Sequence, residues 1–172
     1  MLVQLPFKLD PGIKKNILDF VSSSDASYWV NNTLNRKYCI LNRYNLPLTF
    51  LLKEYSSNIF SQLNITKQTE EEIFGNFIGV HNENGFVLSH IDSKNIYGWE
   101  HVRINFLVNK PKEGGMPIIN NELFKIEEDC SWLNLASKWK HTSTPVVGDT
   151  LRIVLSLGAF VSPAELHEAK IY

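Results

Sequence analysis

His101-Val102-Arg103-Ile104-Asn105-Phe106-Leu107-Val108 and Leu151-Arg152-Ile153-Val154-Leu155-Ser156-Leu157 decide the architecture. Both alternate. In the first, Val102, Ile104, Phe106 and Val108 share one side, and Arg103, Asn105 and Leu107 share the other. In the second, Leu151, Ile153, Leu155 and Leu157 oppose Arg152, Val154 and Ser156. Side chains alternate strictly along a strand, so each stretch has an apolar face and a face with one arginine among small or amide neighbours. A half-solvated sheet with its arginine in water accounts for either strand alone. The composition points elsewhere. Of 17 Lys+Arg, only Arg36, Arg43, Arg103 and Arg152 are arginine. Arginine is preferred where a planar two-pronged donor must hold a carboxylate. These strands are suited to line a cavity for a small acid, with their apolar faces against helices.

Working outward, the chain after Gly75 alternates short apolar runs with turns. Strands are expected at Phe77–His81, Phe86–His90, His101–Val108, Met116–Ile119, Glu122–Ile126, Ser131–Ala136 and Thr150–Gly158. The turns between them carry Asn84-Gly85, Gly114-Gly115 and Gly148-Asp149. Before Gly75 the pattern is helical. Asp10-Pro11 is a helix start, since Asp caps free N–H groups and Pro suits the first turn. Ile13, Ile17, Phe20 and Val21 follow at helical spacing. A second helix is expected from about Leu48 to Leu63, with Leu51, Leu52, Tyr55, Ile59, Phe60 and Leu63 as its apolar stripe. The aromatic, Asn-rich segment from Tyr28 to Tyr44 has no clear assignment. The expected fold is mainly β with N-terminal helices packed on one face of a β-sandwich or jelly roll. It is expected as a single domain: residues 1–74 mainly helical, 75–160 the jelly-roll core, 161–172 a tail.

The 172 residues are 44% hydrophobic and 20% charged, enough apolar material for a core. A formal net charge of -1 gives no electrostatic footprint for nucleic acid or an anionic membrane. No apolar run is long enough to span a bilayer, and the N-terminus lacks the pattern of a secretory signal. Cys39 and Cys130 fit no metal spacing and are expected as reduced thiols of a cytoplasmic chain.

Ser89-His90-Ile91-Asp92 ends a strand-like run. Residues two apart on a strand project to the same side, so His90 and Asp92 can grip one metal ion. The third ligand must come from elsewhere. His167 lies in a charged tail. His81 and His101 sit in no recognisable spacing. His141 precedes a turn and then the strand that carries Arg152. Two histidines and one carboxylate on one face of an octahedral ion leave positions open, the arrangement diagnostic of non-haem Fe(II) oxygenases.

His90-x-Asp92, the distal His141 and the following Arg152 together resemble the 2-oxoglutarate- and Fe(II)-dependent dioxygenase superfamily. The likeness covers about Gly75 to Phe160. Asn84-Gly85-Phe86 ahead of Ser89-His90-Ile91-Asp92 resembles the approach to the motif in prolyl hydroxylases. Arg103-Ile104-Asn105-Phe106-Leu107, then Pro111 and Gly114-Gly115, then His141 and Arg152-Ile153-Val154-Leu155, resemble the aspartyl/asparaginyl β-hydroxylase-like branch. The chain departs from that branch in having Asn105 where a histidine is usual, and in possessing Asp92.

The resemblance implies a double-stranded β-helix, a cupin-like jelly roll with the metal at its open end. It implies Fe(II) held by His90, Asp92 and His141. Arg152 would clamp the distal carboxylate of the co-substrate 2-oxoglutarate, and Ser156 would add a hydrogen bond. Arg103 and Asn105 would contact the keto-acid end or the substrate, and O2 would take the last position. The products would be succinate, CO2 and a hydroxylated peptide side chain, amino acid or small metabolite. Asp92 favours hydroxylation over halogenation. The loop Ser93–Glu100, with Tyr97 and Trp99, would serve as a substrate wall or as an ordinary turn. Two other readings stay open: a cupin-like metal enzyme that does not use 2-oxoglutarate, and a non-enzymatic jelly-roll binding module.

Overall fold

The computed structural model describes residues 4–95 and 97–169. Along the chain come β1 (Gln4–Lys8), α1 (Pro11–Ser23), β2 (Val30–Asn32), β3 (Arg36–Ile40), α2 (Pro47–Gln62), β4 (Gln68–Glu70) and β5 (Phe77–His81). Then follow β6 (Glu100–Asn109), β7 (Glu113–Gly114), β8 (Pro117–Ile119), β9 (Glu122–Leu123), β10 (Cys130–Leu135), β11 (His141–Ser143), β12 (Val146–Val147), β13 (Arg152–Val161) and α3 (Pro163–Glu168). The molecule is mostly β, with a large antiparallel sheet ordered β1-β10-β6-β13-β5-β3-β2; β4 also pairs with β13.

The two alternating strands lie side by side at the centre of this sheet. Leu155 opposes Phe106, Ser156 opposes Asn105 and Gly158 opposes Arg103. Their apolar faces are filled as the alternation requires. Val102, Ile104, Phe106, Val108, Ile153, Leu155 and Leu157 share one core with Ile13 and Ile17 of α1 and Leu48, Leu52, Ile59 and Phe60 of α2. The other face is buried as well. Short strands cover it: β11-β8-β9 form a small sheet, and β12 pairs with β7. Ile119 of β8 packs with Leu107, Trp132 and Val154 of the large sheet. Helices on one face and short strands on the other give an architecture of the β-sandwich or jelly-roll kind.

Asp10 caps α1, accepting from the backbone N–H of Gly12 and Ile13 at 2.8 and 3.0 Å. The expected stripe of α2 holds for Leu52, Ile59 and Phe60, whereas Leu51 faces solvent. The first third also supplies four strands. The unassigned Tyr28–Tyr44 stretch contains the β2–β3 hairpin, turned at Asn35 with φ 50° and paired to β5.

The strand expected at Phe86–His90 is absent apart from one bridge, His90 to His141. Its backbone is held by side chains instead. The Val87 N–H donates to Ser143 Oγ at 3.0 Å, and the Thr142 hydroxyl donates to the Val87 carbonyl. A run bonded to hydroxyls rather than to a neighbouring backbone forms no ladder. The strand expected over Glu122–Ile126 shortens to β9, whose pairing with β8 ends with the bond from the Phe124 N–H to the Pro117 carbonyl at 2.9 Å. Both cysteines are free and buried. Among the described residues no helix is long and apolar enough to cross a membrane.

Candidate metal centre and co-substrate cavity

Backbone pairing brings the motif residues together. His90 and His141 exchange N–H to carbonyl bonds of 3.1 and 2.9 Å, and the Asp92 N–H donates to Ala136 at 2.8 Å. The two imidazoles lie 4.2 Å apart, centroid to centroid. His90 Nδ1 is 2.6 Å from the Leu88 carbonyl, and His141 Nδ1 is 2.9 Å from the Trp139 carbonyl. A carbonyl only accepts, so each Nδ1 carries the proton and each Nε2 keeps a lone pair. Both Nε2 atoms face one carboxylate oxygen: Asp92 Oδ1 is 3.2 Å from that of His90 and 4.0 Å from that of His141. The three ligand atoms lie within 4.8 Å of one another.

Lone pairs directed at a carboxylate oxygen repel unless a proton or a cation lies between them. Asp92 raises the pKa of His90, while burial lowers that of His141 and favours its neutral form. Metal-ligating histidines usually donate their other ring N–H to a backbone carbonyl or carboxylate, as both do here. The donor set therefore fits a divalent transition ion.

The other oxygen of Asp92 is engaged behind the site, 3.1 Å from His101 Nδ1 and 3.6 Å from Arg103 Nε. Burial would raise the Asp92 pKa, but the neighbouring His101 and His90 rings and the Arg103 charge outweigh it. The carboxyl is held well below the usual range. Arg103 is itself anchored. It donates to Glu71 at 2.9 Å, to the Gly75 carbonyl at 3.2 Å and to Ser156 Oγ at 3.3 Å. Glu71, 1% exposed, also accepts the N–H groups of Ile73, Phe74 and Gly75 at 2.7, 2.8 and 2.7 Å. A Cβ on Gly158 would lie 2.8 Å from Arg103 Nη1 and 2.8 Å from the Gly75 carbonyl, so only glycine leaves the guanidinium its place.

The resemblance implies Arg103 at the keto-acid end or the substrate and Ser156 as an added hydrogen bond for the co-substrate. The structure sets both at the cavity wall, bonded to each other, with Arg103 turned to Glu71 and Asp92. Glu71 was not foreseen; in the sequence it reads only as the middle of a run of three glutamates.

A cavity of about 280 Å³ adjoins the triad, between the large sheet and the small β11-β8-β9 sheet. It is lined by all seven residues singled out from the sequence: His90, Asp92, His141, Arg103, Asn105, Arg152 and Ser156. Arg152 is 4% exposed. A Cβ on Gly115, at φ +65°, would come within 2.8 Å of its Cδ. The Arg152 guanidinium meets no carboxylate among the described residues. Nη1 donates to His81 Nδ1 at 3.2 Å, and Nε has no partner. Burial, and then repulsion from Arg36, lower its pKa to about 9. A buried cation without a counter-ion is costly. An arriving anion removes that cost. His81, also buried, has its pKa pushed down to about 2 by burial and then by Arg152 and Arg36, so its ring is neutral. Arg36 was not singled out. Its signal was the same scarcity of arginine that marked Arg103 and Arg152.

The loop after Asp92 folds back on itself. The Asn95 side chain accepts from the N–H groups of Tyr97 and Trp99 at 3.0 and 2.9 Å. Tyr97 stands 74% exposed, while Lys94 ties the loop to Glu100 of β6 at 2.6 Å.

No protein-family model matches the chain, and no curated protein matches it by sequence. Solved structures do match. A Pseudomonas putida prolyl-4-hydroxylase superposes with a TM-score of 0.63 at 13% identity, covering 92% of this chain and 91% of that one. The fold is that of the 2-oxoglutarate–Fe(II) oxygenases. A Trichoplax adhaerens prolyl hydroxylase, solved with a hypoxia-inducible-factor peptide fragment, gives a TM-score of 0.66 at 16% identity over 96% of this chain and 85% of that one. HygX from Streptomyces hygroscopicus, solved with nickel and 2-oxoglutarate, gives 0.65 at 6% identity over 93% and 82%.

Proposed function

We propose that this chain is a 2-oxoglutarate- and Fe(II)-dependent oxygenase, a single domain built on a double-stranded β-helix. The observation that carries the reading is the pair of histidines whose Nδ1 atoms are tied to backbone carbonyls while both Nε2 atoms face Asp92 Oδ1. The solved structures of the same fold support it, one of them holding nickel and 2-oxoglutarate. His90, Asp92 and His141 would hold the ion on one face and leave the cavity side free. The bound ion with O2 would supply the oxidative decarboxylation of 2-oxoglutarate to succinate and CO2, coupled to hydroxylation of a substrate C–H bond.

The chain's own groups do the rest. His101 and Arg103 hold Asp92 Oδ2 so that Oδ1 is left for the ion, and Glu71 holds Arg103. Arg152 would receive the distal carboxylate of 2-oxoglutarate, gaining the counter-ion it lacks. Asn105, on the cavity wall next to Ser156 across the sheet, would contact the co-substrate or the substrate. The cavity suits a small metabolite, an amino acid or a peptide side chain. Two free thiols suit a cytoplasmic setting.

The test is an anaerobic titration with Fe(II) and then 2-oxoglutarate, followed by the weak visible charge-transfer absorption of a chelated 2-oxo acid. Wild type should develop the band and His90→Ala should not. A folded wild-type protein that binds Fe(II) but never develops the band would overturn the 2-oxoglutarate assignment. One that binds no divalent ion would overturn the oxygenase reading.

A further inference from the structure

Arg36, His81 and Arg152 form one row across three neighbouring strands. Arg36 of β3 opposes His81 of β5, and His81 opposes Arg152 of β13. Residues directly opposite in adjacent strands project to the same face. All three line the cavity. Neutral His81 accepts at Nδ1 from Arg152, so its proton is on Nε2. That leaves three buried donors in the row, Arg36 Nε, His81 Nε2 and Arg152 Nε, and each is without an acceptor among the described residues.

A folded chain seldom leaves buried donors unsatisfied, and two neighbouring cations repel each other as well. A distal carboxylate bound by Arg152 alone would leave the second guanidinium unneutralised. The wall also grades in depth: Arg152 and His81 are buried, Arg36 is half-buried, and Asn32 beside it is exposed.

We propose that Arg36 is a second anion-binding residue of this cavity, poised with the His81 N–H to receive a carboxylate. The inference rests on the oxygenase reading for the identity of the 2-oxo acid. Two sources share this chemistry: the distal carboxylate of 2-oxoglutarate itself, bracketed between both arginines, and a carboxylate on the primary substrate, held nearer the exposed end of the row.

The experiment is calorimetric titration of the metal-loaded wild type and Arg36→Gln, anaerobically. The probes are 2-oxoglutarate, glutarate, and acetate added after saturation with 2-oxoglutarate. Losing a charge-assisted hydrogen bond should weaken binding about tenfold or more. Weakening with both 2-oxoglutarate and glutarate assigns Arg36 to the co-substrate. Unchanged binding of both, with loss of acetate uptake by the 2-oxoglutarate-loaded protein, assigns it to a substrate carboxylate. If Arg36→Gln matches wild type with all three probes, the proposal is overturned. Failure of the oxygenase reading has a different signature: wild type would bind 2-oxoglutarate no more tightly than glutarate, because no keto acid is chelated.

Discussion

Lysine at position 152 would keep the charge and lose the fork. Arg152 already spends Nη1 on His81 and has Nε buried without a partner. A lysine offers a compact ammonium on a flexible stem and cannot bond His81 and a carboxylate in the same planar geometry. Arg152→Lys is therefore expected to weaken 2-oxoglutarate binding about tenfold or more while leaving Fe(II) binding intact, measured by titration of each in turn. Equal 2-oxoglutarate affinity in the two proteins would remove Arg152 from the role. The residues of this site differ in how plainly the sequence shows them. His90, Asp92, His141 and Arg152 stand in a recognisable order along the chain, and the structure brings them to one cavity. His81 and Arg36 are placed by strand pairing, and Glu71 by the loop after β4 that wraps its carboxylate. Their neighbours in space are far away in sequence, so no local spacing marks them. Arg103 was legible as a special arginine but not in its partner, because Glu71 is a long way upstream.

At the scale of elements, the alternation of β6 and β13 separates stability from function face by face. Ile104 lies on the face that packs against the helices and is fully buried. Ile104→Ala should cost about 2–5 kcal/mol of stability through lost burial and an unfilled cavity, read from denaturant unfolding. Fe(II) affinity of the folded fraction should stay at the wild-type level. A change in metal affinity as large as that in stability would show that the two faces are not independent. The long strands were legible because ten-residue elements repeat their period several times over. The covering strands were not. β7, β9 and β12 are two residues each, too short to show any alternation. The Phe86–His90 run has the composition of a strand, yet hydroxyls of Thr142 and Ser143 satisfy its backbone. The β2–β3 hairpin escaped notice because its strands lie in a polar, aromatic segment and its turn relies on Asn35 rather than glycine.

For the whole molecule, the site is a place where folding leaves electrostatic work undone. Asp92 faces two histidine lone pairs, and the cavity behind holds two guanidiniums, of Arg36 and Arg152, without carboxylate partners among the described residues. These groups come together only in the folded chain, so whatever neutralises them binds the native state and not the unfolded one. Mass action then makes ligands stabilisers: an ion at about 100 times its dissociation constant adds about 2.7 kcal/mol. For a chain of this size, that corresponds to a rise in Tm of roughly 5–10 °C. Excess Fe(II) under anaerobic conditions should raise Tm by that order. 2-Oxoglutarate should add a second increment only when the metal is present, and a chelator should reverse both. In His90→Ala the metal increment should vanish while the unliganded Tm stays close to wild type, because the ring is nearly half-exposed. An equal rise in wild type and His90→Ala would place the stabilising ion elsewhere on the protein. It would also leave the facing lone pairs of His90, Asp92 and His141 to be satisfied by a proton alone.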